Sequence, residues 1–214
     1  MLTSRISFKN FKFKKYSSVV KKNLKSILES KNEVLNSLSQ NYKNSFNKKL
    51  FQKYHKTKNY RVIGMGGSTL GTQTIYDFLK HKIKKNFIFI DNLQENLNKS
   101  KKKYTNLIVS KSGGTIETIV NANIYIKKKD KNIFITENKK SYLYKVAENL
   151  KSQIIHHNNF IGGRYSVLSE VGMLPAELMG LNPNKFRQFN NLIKDKRFIN
   201  NLILNVSSIL NYSK

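Results

Sequence analysis

The chain has 214 residues, enough to bury one substantial core, and carries 40 Lys and Arg against 12 Asp and Glu, a formal charge of +28. It has no cysteine, which excludes a disulfide framework, a thiolate metal site and a cysteine nucleophile. No apolar run reaches the roughly 18 residues that span a bilayer, and residues 1–21 hold no signal-peptide core, so the chain reads as a soluble cytoplasmic protein with no membrane partner.

Residues 17–40 place Val19, Val20, Leu24, Ile27, Leu28, Val34, Leu35 and Leu38 at largely three- and four-residue spacings, the pattern of one amphipathic helix or of two split near Ser30. Residues 45–56 carry Phe46, Leu50, Phe51 and Tyr54 on a similar stripe. From Tyr60 onward short apolar runs alternate with helical stretches. Strands are predicted at 60–64, 86–91, 106–109, 132–136 and 153–156, and helices at 68–80, 115–129 and 139–149. This alternation predicts βαβ crossovers and an α/β fold: a doubly wound, mainly parallel five-stranded sheet of flavodoxin-like order 2-1-3-4-5. The polar segment 91–105 reads as a distorted short helix or a loop. After Phe160 a Gly-Gly-Arg turn leads into a helix ending near Gly180, within which Pro175 suggests a break. Residues 183–214 read as one or two helices. The expected division is a helical extension over 1–58, the α/β domain over 59–160, and the turn with C-terminal helices over 161–214.

Two glycine-rich turns follow strands one and three. Gly64-Met-Gly-Gly-Ser-Thr-Leu-Gly71 sets a serine at a predicted N-cap. Ser110-Lys-Ser-Gly-Gly-Thr-Ile-Glu-Thr118 gathers hydroxyls and backbone N–H groups at a helix start, the composition of a phosphate cradle. It has neither the Gly-Lys-Ser/Thr ending of a P-loop nor a G-x-G-x-x-G, which suits a small phosphorylated metabolite better than a nucleoside triphosphate. In the predicted strand order both turns reach the crevice at the topological switch point. Arg164, in a turn after strand five, can neutralise an oxyanion or bond a turn carbonyl, and the spacing does not choose between them. Glu117 opens the helix after the cradle, where the dipole favours a carboxylate in any case. His156 and His157 lack carboxylates at ligating spacing, and no metal is expected. The lysines are spread along the whole chain beside a general excess of Asn and Ile. A solvated surface explains them better than a polyanion-binding face, and no specific nucleic-acid partner is expected.

These two turns, together with Gly162-Gly-Arg-Tyr-Ser-Val-Leu-Ser-Glu-Val-Gly172, resemble in content and order the glucose-6-phosphate isomerase family of the sugar-isomerase (SIS) superfamily. The resemblance implies interconversion of glucose 6-phosphate and fructose 6-phosphate through an enediol, with no cofactor. It implies that Ser68, Ser110, Ser112 and Thr115 hold the phosphate beside the Lys111 backbone N–H, with the backbone of Gly66, Gly67 and Gly163 close to the substrate. Arg164 would stabilise the enediolate, and Glu117 would orient the histidine that opens the sugar ring. Gly114 stands where the family has Thr. The family's general-base Glu, ring-opening His and C-terminal Lys belong to later segments, so the chain reads as an N-terminal half, inactive alone, of an enzyme that is a homodimer when intact. The alternative is a stand-alone SIS module that binds a sugar phosphate as a regulator, although residues 1–58 show no helix-turn-helix pattern.

Overall fold

A computed structural model describes residues 17–54, 56–93 and 102–212. In chain order the elements are α1 (Ser18–Glu29), α2 (Glu33–Ser37), α3 (Lys48–Tyr54), β1 (Asn59–Ile63), α4 (Leu70–Leu79), β2 (Asn86–Ile90) and β3 (Thr105–Val109). There follow α5 (Ile116–Tyr125), β4 (Lys131–Thr136), α6 (Tyr142–Asn149), β5 (Gln153–His156), α7 (Glu170–Leu178), α8 (Phe189–Lys194) and α9 (Lys196–Tyr212), with 3-10 turns at Gly66–Ser68, Lys80–Lys82, Gly163–Leu168 and Pro183–Lys185. Most of the polar segment read as a short helix or loop falls at 94–101, outside the described residues. No helix among the described residues is long and apolar enough to cross a membrane.

The chain divides into two compact units, Lys43–Phe186 and the pair Met1–Tyr42 with Arg187–Lys214. In the second of these, α1 and α2 are separate helices. Ser30 ends the first in an extended conformation, and Asn32 caps the second by accepting from the N–H groups of Val34 and Leu35. α1 packs on α9. The guanidinium of Arg187 lies 4.9 Å over the Tyr42 ring and donates to the Tyr42 carbonyl, which is how a buried arginine keeps its charge satisfied.

The larger unit holds a five-stranded parallel sheet in the order β2-β1-β3-β4-β5, as the alternation of strands and helices predicts. Its strands are near-continuous apolar runs because both faces are covered. The period of two sorts the side chains. Tyr60, Val62, Leu107, Val109, Ile133, Ile135 and Ile155 pack with Tyr54 of α3, Ile75 and Tyr76 of α4 and the buried residues of α7. Ile63, Ile108 and Phe134 face the other way, onto Ala122 of α5 and Leu143 and Ala147 of α6.

Two sequence expectations fail locally. α5 stops at Tyr125 rather than near residue 129, with its C-cap Ile126 already extended. Pro175 does not break α7, which continues through it to Leu178. A proline in a helix deprives the carbonyl four residues earlier of its donor. That carbonyl belongs to Val171, and the buried hydroxyl of Thr72 in α4 donates to it at 3.1 Å.

Candidate functional site

β1 and β3 are adjacent, and the chain leaves them toward opposite faces, so a crevice opens at their carboxyl ends. The turn after β1 runs Gly64 to Thr69. Ser68 closes a 3-10 turn by donating its N–H to Met65, and Thr69 rather than the expected Ser68 occupies the N-cap position of α4, without a side-chain cap. The Ser68 hydroxyl is half-buried and bonds to nothing among the described residues. Gly66 sits at φ 54°, the left-handed region that a glycine enters without cost.

The turn after β3 is held from below. Ser110 is buried, its N–H donates to Ile135, and its Oγ lies 3.1 Å from Oγ1 of Thr115. Lys111 gives its carbonyl to the Glu137 N–H at 3.1 Å and to the Thr136 hydroxyl at 3.3 Å. Gly113, at φ 63°, packs so closely on Ser141 that a Cβ would overlap that hydroxyl, and its carbonyl accepts the Leu143 N–H from the first turn of α6. Ser112 is exposed and accepts from the Gly114 N–H at 3.2 Å. The backbone N–H groups of Lys111 and Ser112 donate to no backbone carbonyl among the described residues, and no side chain caps α5. Gly114 is open, with only the Ser112 Oγ within 4 Å of where a Cβ would stand, so the Thr that the resemblance implies there would fit.

The third turn, the 3-10 segment Gly163–Leu168, lies against the first. A Cβ on Gly67 would overlap the carbonyl of Gly163, and the Ser166 Oγ donates to the carbonyls of Gly163 at 2.6 Å and Gly67 at 3.4 Å. Here two backbones touch with no side chain between them, which only glycine allows. The Arg164 side chain is exposed and makes no hydrogen bond or ion pair among the described residues, so of the two roles weighed for it the turn-carbonyl bond is not the one taken up. Glu117 lies half-buried in the first turn of α5, also without a polar partner among the described residues.

The turns are joined further by contacts that residue spacing does not disclose. A Cβ on Gly64 would stand 2.9 Å from the Val109 carbonyl, so the first turn begins tight against the end of β3. The Lys111 ammonium lies 3.4 Å from Oε1 of Glu137 and 2.6 Å from the Asn159 carbonyl that it donates to. Beneath that segment His157 is buried, its Nδ1 3.0 Å from the Asn158 carbonyl, and loss of hydration holds its pKa below the ordinary 6.5. Glu170, equally buried, accepts the Ser45 N–H at 3.2 Å. Among the described residues no three His, Asp or Glu side chains gather to ligate a metal ion. The three turns thus bring the hydroxyls of Ser68, Ser112 and Thr115 and the uncapped start of α5 to the carboxyl ends of β1 and β3, with the Arg164 guanidinium on the third turn.

A family model described as phosphoglucose isomerase matches residues 14–210. The glucose-6-phosphate isomerase of Methanocaldococcus jannaschii is 32% identical over 172 residues, covering 72% of this chain and 42% of that protein. That of Prochlorococcus marinus (strain MIT 9515) is 36% identical over 167 residues, covering 69% of this chain and 31% of the relative. The chain thus spans less than half the length of these curated relatives. The crystal structure of a hypothetical protein from Thermus thermophilus shares the fold at a TM-score of 0.66 and 18% identity, over 91% of this chain and 52% of that one.

Proposed function

The chain belongs to the phosphoglucose isomerase family, and from that premise we propose that it carries the phosphate-holding part of an aldose–ketose isomerase acting on glucose 6-phosphate and fructose 6-phosphate. The observation that supports this reading is the convergence of three turns at one sheet edge, with the Ser110–Thr115 hydroxyl pair beside the uncapped start of α5. A phosphate there is received by the hydroxyls of Ser68, Ser110, Ser112 and Thr115 and by the Lys111 N–H, in the field of the helix N-terminus.

Fixing the phosphate sets the far end of the open-chain sugar toward the turn of Arg164. In the forward reaction a base removes the C2 proton, the electron pair forms the C1–C2 double bond, and the C1 carbonyl oxygen takes up the charge as an enediolate. A proton passes from the C2 hydroxyl to the C1 oxygen, and as the resulting C2 oxyanion collapses to a carbonyl the double-bond electrons take back a proton at C1 from the protonated base, which gives the ketose. A fixed guanidinium that meets charge only as it develops lowers the barrier, and Arg164 takes that role. Glu117 orients the group that opens the ring. The reaction moves protons alone and asks for no metal or organic cofactor. The base lies in the part of the longer relatives that this chain does not match, so the chain alone binds sugar phosphate with little turnover. The intact enzyme is a cytoplasmic homodimer of glycolysis and gluconeogenesis.

Titration calorimetry with fructose 6-phosphate and with unphosphorylated fructose tests the reading. The phosphorylated sugar binds, fructose does not, and Ser110→Ala weakens the binding; equal binding of the two sugars, or binding indifferent to Ser110, rejects it.

A further inference from the structure

The Lys111 side chain, in the turn after β3, places its ammonium 3.4 Å from Oε1 of Glu137 and donates to the Asn159 carbonyl at 2.6 Å. A lysine near a phosphate that served only as a positive charge would gain nothing from a backbone carbonyl on another turn. The target is specific in its place. Asn159 belongs to the short segment between β5 and the Gly163–Leu168 turn, five residues before Arg164. Within that segment the Ile161 N–H bonds to Asn158, the Asn158 side chain accepts from Phe160, and Ile161 is buried. At its other end Lys111 is anchored by its carbonyl, which accepts from Thr136 and Glu137 at the end of β4.

We propose that Lys111 is a positioning residue: its ammonium straps the phosphate turn to the Asn158–Ile161 segment and thereby sets Arg164 at a fixed distance from the bound phosphate. The inference rests on the isomerase reading for the role of Arg164, but not for the strap itself. The backbone tie of Gly67 to Gly163 fixes the third turn against the first. The strap adds a tie from the turn after β3 to the segment that leads into the third turn. Ion pairing with Glu137 aims the ammonium, and a carbonyl acceptor, which has no rotamer of its own, gives the strap a definite length. Arginine can span the same groups, whereas methionine keeps the aliphatic stem and loses every donor.

Two measurements on the full 214-residue chain test it. Amide hydrogen exchange of the unliganded protein should quicken at Ile161 and Tyr165 in Lys111→Met and return toward the parent in Lys111→Arg; exchange there indifferent to Lys111→Met overturns the strap. The second reads the ratio of affinities for a phosphorylated aldonohydroxamate, an anionic mimic of the enediolate, and for inorganic phosphate. That ratio should fall roughly tenfold or more in Lys111→Met, since a misplacement of about 1 Å costs on that order, and recover in Lys111→Arg. If both affinities fall together and the ratio holds, the ammonium acts on the phosphate itself and the positioning role is wrong. A parent chain that fails to bind inorganic phosphate at all counts against the cradle reading alone, and the exchange measurement then decides the strap by itself.

Discussion

Thr72 donates its hydroxyl to the carbonyl of Val171 at 3.1 Å, in the place of the N–H that Pro175 lacks. Two helices distant in sequence are joined by the repair of a backbone defect. Thr72→Val keeps the shape and leaves a buried carbonyl without a donor, which costs about 1–3 kcal/mol. In a Pro175→Ala background residue 175 supplies its own N–H, so the same substitution should cost clearly less. Urea unfolding of the four proteins of the cycle measures the coupling, and equal costs in both backgrounds would show that the hydroxyl is not the compensating donor.

Inorganic phosphate should raise the melting temperature of the chain, because a ligand that binds only the folded state stabilises it by mass action. Thr115→Val should shrink that shift. It also removes the 3.1 Å partner of the buried Ser110 hydroxyl, so the unliganded protein should lose about 1 kcal/mol. A variant that responds to phosphate as fully as the parent rules out Thr115 as a ligand.

Neighbouring glycines in the cradle should respond very differently to alanine. At Gly113 a Cβ meets Ser141 and the backbone is left-handed, so Gly113→Ala should cost at least about 1–2 kcal/mol. Gly114→Ala enters open space and should stay within about 0.5 kcal/mol of the parent. Thermal melts of the two variants suffice. Comparable losses would mean that the close packing on Ser141 carries no weight.

His157 makes a prediction about pH. Burial holds its folded pKa below 6.5, with Glu170 and Glu137 opposing that shift and Lys111 adding to it. Below the unfolded pKa the unfolded chain therefore binds a proton that the folded chain refuses. Stability from this group is complete above about pH 6.5 and is lost as the pH falls through that value toward the folded pKa, with a slope of at most about 1.4 kcal/mol per pH unit. His157→Gln should flatten the pH dependence of stability just below about pH 6.5 whatever it does to stability overall. An unchanged slope would assign the acid sensitivity to other groups.

The sheet was legible because its strands are short apolar runs with period-two sorting onto two covered faces. Runs such as Leu107 to Val109 and Ile133 to Ile135 admit few other readings, and the order follows from the alternation with helices. The turn that carries Ser110 and Thr115 was legible from its place after such a strand, and its hydroxyls meet each other there. Pro175 misled because a local rule was offset by Thr72, about a hundred positions earlier, and no pattern near the proline records that. Lys111 was read only through its backbone, since the acceptor of its side chain is a carbonyl and residue identities do not reveal where a carbonyl will point. The touch of Gly67 on Gly163 was hidden for a similar reason: glycine-rich turns announce freedom, and only the fold shows what fills the space.

That touch bears on when the crevice comes into being. Ser166 meets Gly67 across 99 positions of chain, and β1 must pair with β3 over the whole of an intervening crossover before either turn has its neighbour. Closures of that length are entropically expensive and form after local helices have condensed. The joint between the turns should therefore be absent from the transition state of folding, so that substitutions at Gly67 or Ser166 accelerate unfolding and leave the refolding rate nearly untouched. A chain folded only in part would have its helices and some of its strands but no crevice, and if the proposed phosphate site is right, phosphate occupancy would count only those molecules that have completed the long closure.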